Sequence, residues 1–353
     1  MKLSNFDYNL PKKLIANSHI EPRDHSRLLV VDRKSGKVEH KRFYNILDYL
    51  RPDDLLVFNN SKVFKAKIFG TKDTGGKREF LITRPVGGCL WEVMIKRKAK
   101  VGDKFSFGKE LNCKIVKRLD ERLWRVKLNK NQKEVFKFLE KNGETPLPPY
   151  IKCRGAINCA QKKGVINHAP TKDRENNFYQ TVYAKNTGSV AAPTAGFHFT
   201  KDLLKKIKAK GIECSEVTLH VGLGTFVPVE VENIKNHKMH TEYYKIKKDV
   251  WDKILKAKKE KRRVIAVGTT TTRVLESFCR KKGSKTDIFI YPPFDFKIVD
   301  CLITNFHLPK STLLILISAF LDPKGKKGIG LIKKIYAEAI KKNIGSIRLE
   351  TAC

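Results

Sequence analysis

An open α/β sheet domain carrying an inserted, small antiparallel β-barrel is the fold class this sequence predicts. Three patterns lead there. From residue 179 onward, apolar runs of strand length alternate with amphipathic helical segments, as in a sheet layered with helices. Across 61–130 long helices vanish and brief alternating runs follow one another through Gly-rich turns, the pattern of a small barrel. Ahead of both, SRLLVVDR (26–33) and DLLVFNN (54–60) read as buried strands that join the later sheet.

FYNILDYL (43–50) is a short helix between those two strands. The barrel runs are VFKAKIFG, REFLITRP, LWEVMIK, KFSFG, LNCKIVKRL and LWRVKL, separated by TGGK, VGG and VGDK turns. KEVFKFLEKNG (133–143) is a helix that stops at Gly, and PLPPYI (146–151) is a stiff extended linker. Residues 152–177 form a polar, irregular insertion. Strands VYA and SVAAPT, a helix over 200–211, strand EVTLHVG, a helix over 248–259 and strand RRVIAVG follow. A helix over 271–282, strands DIFIYP and CLITNF, and a helix over 327–342 complete the pattern. The domains expected are 1–60 with 152–353 for the sheet and 61–151 for the barrel.

The chain has 353 residues, 41% of them hydrophobic, enough for two packed cores. Its longest apolar run, STLLILISAFL (311–321), is too short to span a bilayer, and MKLSNFDYNLPKKLIA has no secretory pattern. A cytoplasmic protein without membrane contact is expected. The eight cysteines show no CxxC pair, so reduced thiols are expected, with Cys153 and Cys159 sharing one loop. Lys and Arg number 73 against 36 Asp and Glu, a net charge of +37. An AT-rich coding sequence accounts for part of that excess. Glu has not risen with Lys, and so large a charge favours a polyanionic partner, nucleic acid first.

Four stretches escape the lysine: GSVAAPTAGFHFT (188–200), VTLHVGLGTFVPVE (217–230), VIAVGTTTTRVLES (264–277) and CLITNFHLPKST (301–312). They concentrate Gly, Thr, His and Phe at strand ends, where open α/β sheets bind ligands. In the third, threonines open a helix after Gly268, offering amides and hydroxyls to an anion, with Arg273 one turn inside. In the first, the strand ends at Ala195 and Gly196, and Thr200 is the expected cap of the next helix. The second places Gly222 and Gly224 after His220, permitting close backbone approach. His237 and His240, followed by Glu242, have a spacing that puts both imidazoles on one face of a helix and raises zinc, but no cysteine pair or clear third ligand stands nearby, and no metal is expected.

The blocks DYNLPKKLIA, DLLVFNNSKVFKA, PLPPYI, YQTVYAKNTGSVAAPTAGFHFT, VTLHVGLGTFVPVE, HKMHTEYY, VGTTTTRVLES and TNFHLPKSTLL together resemble the S-adenosylmethionine:tRNA ribosyltransferase-isomerases of queuosine biosynthesis. The resemblance runs from the N-terminus to residue 342. It implies an α/β domain with an inserted barrel, and transfer with isomerisation of the ribosyl part of S-adenosylmethionine. The acceptor is 7-aminomethyl-7-deazaguanine at the tRNA wobble position. Epoxyqueuosine-tRNA forms, adenine and methionine leave, and S-adenosylmethionine is consumed as a substrate with no separate cofactor.

The sulfonium acidifies the adjacent ribose CH₂, so the reaction needs a base, and departing adenine needs a proton. His198 and His220 are assigned as base and acid in either order, with His307 in reserve. Thr270, Thr271 and Arg273 are assigned to the methionine carboxylate or a phosphate. Phe197, Phe226 and Phe306 are assigned to stacking on bases or facing the sulfonium. Gly196, Gly222 and Gly224 close the backbone on the nucleoside, with Thr194, Thr225 and Asn305 completing the substrate contacts. Arg27, Lys62, His237 and His240 are expected to hold the anticodon stem-loop, and the protein to act as a monomer.

The sequence departs from the family pattern at Phe178, where Arg is usual, and at NIGSIRLETAC (343–353), where an aromatic strand of the type YRFYSFGDCM is usual. Back-translation allows the codons ATA GGT TCT ATT CGT TTG GAG ACT GCA TG for Ile344 to Cys353, and that choice shifted by one base reads RFYSFGDCM. A single-base deletion after Asn343 accounts for the difference. The alternative to an active enzyme is therefore an inactivated, tRNA-binding copy.

Overall fold

The computed structural model describes residues 1–16, 20–96, 99–148, 179–222, 229–325, 327–344 and 351–352. Its centre is a nine-stranded mixed sheet in the order β15-β13-β12-β3-β14-β16-β17-β1-β2. The strands are β1 (Arg27–Val31), β2 (Val38–Arg42), β3 (Leu55–Asn59), β12 (Glu213–His220), β13 (Glu242–Lys245), β14 (Val264–Val267), β15 (Lys285–Thr286), β16 (Cys301–Asn305) and β17 (Thr351–Ala352). β12, β3, β14 and β16 run parallel, with Val57 registered between Ser215 and Ala266. Their carboxyl ends (His220, Asn59, Val267 and Asn305) therefore share one edge.

Successive side chains of a strand point to opposite faces, and β3 shows it. Leu55 and Val57 pack in one core with Trp251 and Ile254 of helix α3 (Lys248–Lys259) and Val274 and Leu275 of α4 (Thr269–Arg280). Leu56 and Phe58 enter the opposite core with Phe199 and with Leu203 and Ile207 of α2 (Lys201–Ala209). Thr200 caps α2 as expected, its hydroxyl accepting from the Leu203 amide.

Six strands close the antiparallel barrel in the order β10-β7-β6-β5-β8-β9. They are β5 (Lys67–Lys72), β6 (Lys77–Gly87), β7 (Leu90–Ile95), β8 (Lys104–Phe107), β9 (Leu111–Arg118) and β10 (Leu123–Leu128). Phe80, Phe105, Phe107 and Trp91 fill it, and Val135, Phe138 and Leu139 of α1 (Gln132–Asn142) pack into the same core. A separate two-stranded ladder of β4 (Ser61–Val63) and β11 (Asn186–Ser189) connects barrel and sheet in sequence.

Several expectations are corrected. DIFIYP is not a strand; only Lys285–Thr286 pairs there, before the Pro292–Pro293 dipeptide, whose nitrogens have no hydrogen to donate to a ladder. Residues 190–193 are buried and form no strand, although the Val190 amide donates to the Val221 carbonyl at 3.1 Å, and the chain continues as a 3₁₀ turn over Thr194–His198. STLLILISAFL, measured above only against a bilayer, is the buried helix α5 (Thr312–Leu321), packed on α6 (Gly328–Lys341). Among the described residues no helix is long and apolar enough to cross a membrane. The 152–177 insertion, with Cys153 and Cys159, lies outside the described residues, as do Phe178 and 345–350.

Glu276, near the end of α4, is fully buried and accepts from the amides of Lys297, Ile298 and Val299 and from Arg280 at 2.6 Å. That one carboxylate fixes the loop leading into β16. Removing it leaves the Lys297, Ile298 and Val299 amides without that acceptor, the last two buried, and takes from the Arg280 guanidinium its carboxylate partner. Glu276→Ala is expected to lower unfolding stability by about 3 kcal/mol or more in urea titration. A loss below roughly 0.5 kcal/mol, the range of an ordinary surface change, would contradict the assigned role.

Candidate active site

A cleft of about 480 Å³ opens between the barrel and the β12 edge of the sheet. The barrel contributes Thr83, Arg84, Glu92 and Leu123; the sheet contributes His220, Val221, Gly222 and His240 to Tyr243. Gly188 belongs to its wall. With φ near +151° it has a backbone that side chains disfavour, and an added Cβ would lie 2.7 Å from the His220 ring. Glycine there lets the imidazole lie flat on the main chain.

His220 is the candidate the structure places best. It ends β12, lines the cleft, and its Nδ1 is buried without a hydrogen-bond partner. Burial disfavours the imidazolium and holds its pKa below the usual 6.5, so the ring is a neutral base at neutral pH. Two residues on, the Gly222 amide donates to Glu242 Oε1 at 3.1 Å. The other Glu242 oxygen accepts from Arg273 Nη1 in a buried ion pair. Arg273 also donates through Nε to the Ile288 carbonyl at 3.3 Å, while its Nη2 is buried with no partner.

Arg273 is therefore matched by a carboxylate of the protein and is not the free carboxylate grip expected from sequence. Nor do the threonines form an anion cradle with their hydroxyls. Gly268, at φ 92°, is the N-cap of α4 and supplies no side chain. Thr271 and Thr272 turn their hydroxyls back to the carbonyls of Val267 (2.7 Å) and Gly268 (3.3 Å). Thr270 accepts from Asn59 Nδ2 at 3.3 Å.

His198 is sealed in the interior. Its Nδ1 meets Ser26 Oγ at 2.7 Å, and its Nε2 meets Asn305 Oδ1 at 3.0 Å. Asn305 Nδ2 donates to Thr194 Oγ1 at 3.1 Å, which directs its carbonyl oxygen to the imidazole. His198 then donates from Nε2 and accepts the Ser26 hydroxyl at Nδ1, and no ring nitrogen remains for substrate. His307 is likewise buried, against Thr304 Oγ1 at 3.1 Å, and burial pushes its pKa down to about 3.

Phe306 packs edge-on to Tyr336, and Phe197 edge-on to Tyr179, both inside the protein. Gly196 is a point of close approach, since a Cβ there would fall 1.8 Å from the Tyr183 hydroxyl oxygen. The single cavity expected to collect His198, His220, Arg273 and His307 is therefore divided: His220 lines the cleft and Arg273 reaches it through Glu242, while the two other imidazoles belong to the core. Gly224, Thr225 and Phe226 lie outside the described residues.

Of the residues expected to hold RNA, Arg27 donates to the carbonyls of Lys342 and Asn343 behind α6, and Lys62 is exposed opposite Thr187. His240 lines the cleft, and His237 meets Phe289 edge-on in a stretch that is not helical, which removes the argument for zinc on one helix face. Among the described residues no group of metal-ligating side chains is gathered.

Sequence reasoning missed the barrel's share. Glu92 is buried and accepts from Arg84 at 2.7 Å and Arg125 at 3.2 Å, while the Arg84 guanidinium lies 4.7 Å from the Tyr243 ring centre. Arg84 thus bridges the two walls of the cleft by a cation–π contact. The signal available was a charged Arg and Glu inside alternating barrel runs, with no indication of what they face.

Fold and cleft together define a class: an α/β enzyme whose site lies where strand ends meet an inserted β-barrel. A family model described as queuosine biosynthesis protein matches residues 3–344, and the chain belongs to that family. The chain is 47% identical over 360 residues to an S-adenosylmethionine:tRNA ribosyltransferase-isomerase of Thermosipho melanesiensis, covering 100% of this chain and 99% of that protein. Its counterpart in Carboxydothermus hydrogenoformans, of the same name, is 49% identical over 91% of each chain. A crystal structure of S-adenosylmethionine tRNA ribosyltransferase from Thermotoga maritima superposes with a TM-score of 0.54 at 30% identity, covering 99% of this chain and 100% of that one.

The histidines perturbed by partial or full burial make stability depend on pH with a definite sign. His220, His237 and His307 are all held below 6.5, so below that pH the unfolded chain binds more protons. Their contribution is complete above 6.5 and is lost as pH falls, the His307 share running down to about 3. Urea midpoints measured from about pH 7 to about pH 4 are expected to fall, and His307→Gln to flatten the slope. An unchanged slope in the variant would contradict the buried, neutral assignment.

Proposed function

We propose that this chain transfers and isomerises the ribosyl moiety of S-adenosylmethionine onto 7-aminomethyl-7-deazaguanine at the tRNA wobble position. Epoxyqueuosine-tRNA is the product, and adenine and methionine are released. S-adenosylmethionine is the substrate that supplies the ribose, and no separate cofactor is required. The protein acts as a cytoplasmic monomer on the anticodon stem-loop.

The observation that carries this reading is the His220 imidazole, which lines the cleft and whose buried Nδ1 has no hydrogen-bond partner. A neutral imidazole with an unused nitrogen is the base that the sulfonium-acidified ribose CH₂ requires. His240, the other imidazole on the cleft wall, is assigned the proton for departing adenine. Glu242 holds the Gly222 amide and so orients the backbone after His220; Arg273 keeps that carboxylate in place. The excess of 73 cationic over 36 anionic residues suits a tRNA partner.

A second reading, an inactivated tRNA-binding copy, is favoured by one observation. NIGSIRLETAC (343–353) stands where the family pattern has an aromatic strand. Resequencing the 3′ end of the gene checks that reading; intact bases with no RFYSFGDCM frame would remove it.

Adenine release from S-adenosylmethionine in the presence of precursor tRNA is the assay for the leading reading. Wild-type protein is expected to release adenine only when that tRNA is present. His220→Ala is expected to lower turnover about 100-fold or more, the scale of losing a general base. Turnover within a few-fold of wild type would remove His220 from the chemistry.

A further inference from the structure

A second, larger groove of about 870 Å³ lies on the other side of His220, between α2, β12 and the start of α3. Thr187 and His220 line this groove and the cleft alike, so the one leads into the other. Its walls carry five lysines, Lys185, Lys208, Lys245, Lys247 and Lys253, against two carboxylates, Glu216 and Asp249.

The lysines fall into two kinds. Lys185 is bound to Glu216 at 2.6 Å and Lys253 to Glu213 at 3.2 Å, so their charge is largely matched. Lys208, Lys245 and Lys247 are exposed and have no acidic partner within salt-bridge distance among the described residues. Asn186, Asn60 and Thr218 on the floor are already paired: Asn186 donates to Asn60 Oδ1 and Thr218 Oγ1, and Asn60 donates to Glu216. The charge the groove leaves available is net cationic, three ammonium groups against the Asp249 carboxylate. Three free ammonium groups around an elongated depression suit successive phosphates of a strand better than one small anion.

We infer that Lys208, Lys245 and Lys247 form a phosphate track for the RNA strand flanking the nucleotide that enters the cleft. The inference rests on the tRNA reading above and adds the path by which the strand reaches His220. The groove acts through charge on the backbone and carries no base readout, so it positions the strand and does not select its sequence.

The test is the salt dependence of tRNA affinity, measured by fluorescence anisotropy on the full chain with labelled precursor tRNA. The triple variant Lys208→Ala, Lys245→Ala, Lys247→Ala is compared with wild type and with a charge-matched triple on α6, Lys333→Ala, Lys334→Ala, Lys341→Ala. All six side chains are exposed, so neither variant disturbs a core.

Single-stranded contacts contribute about 0.7 each to the slope of log affinity against log salt. The groove variant is expected to lose roughly 2 from that slope and to bind roughly tenfold or more weakly near physiological salt. S-adenosylmethionine affinity in the absence of tRNA stays unchanged. An unchanged slope, or an equal loss in the α6 control, would overturn the track and leave only a diffuse positive field. Failure of wild type to bind tRNA at any salt would instead overturn the functional reading on which the track depends.

Discussion

Burying Arg273 beside Glu242 takes two charges out of water, and neither tolerates that environment alone. Each is supplied by a different element: Arg273 by the first turns of α4, Glu242 by β13. The pair therefore fixes the sheet's outer strands against the helix that follows β14. Glu242 passes the constraint to the Gly222 amide, and through it to the chain leaving β12 immediately after His220. The cleft geometry hangs on this pair. Removing one partner leaves the other as an uncompensated buried charge, so the effect reaches beyond a lost hydrogen bond.

The barrel depends on the same edge. Its buried Glu92 collects Arg84 and Arg125, and Arg84 is then held at the ring of Tyr243, the residue next to Glu242. Lys285 approaches the same ring at 5.2 Å. A cation on an aromatic face is directional but soft, unlike the rigid ladder inside each unit. The cleft wall made by the barrel is thus attached through side chains, and the wall made by the sheet through main chain and a buried ion pair.

The parallel core strands were legible because each is a short apolar run: Leu55–Asn59, Val264–Val267 and Cys301–Asn305 are buried on both faces. The barrel was legible from alternation and Gly turns. α5 was not, since TLLILISAFL is apolar all round and carries no helical period to read. DIFIYP misled for the opposite reason: its residues favour strands, but it lies beside the Glu276-anchored loop and stays unpaired. At the site, His220, Gly222 and Arg273 stood out by their local pattern. Arg84 and Glu92 did not, because what matters is the contact that Arg84, held by Glu92, makes with Tyr243, 159 residues further along the sequence. His198 misled through its neighbours; its polar partners, Ser26 just before β1 and Asn305 at the end of β16, are distant in sequence and turn it into a structural residue.

The central claim is that the small substrate occupies the cleft walled by Gly188, His220, Gly222 and Glu242 and not the interior around His307. Photo-crosslinking with a diazirine-bearing S-adenosylmethionine analogue, followed by peptide mapping, tests it most directly. Label is expected on peptides holding Thr187–Gly188, His220–Gly222 and His240–Tyr243, and to be competed away by unlabelled substrate. Competed label concentrated on the Thr304–His307 peptide or on α6, with none at the cleft, would contradict the account.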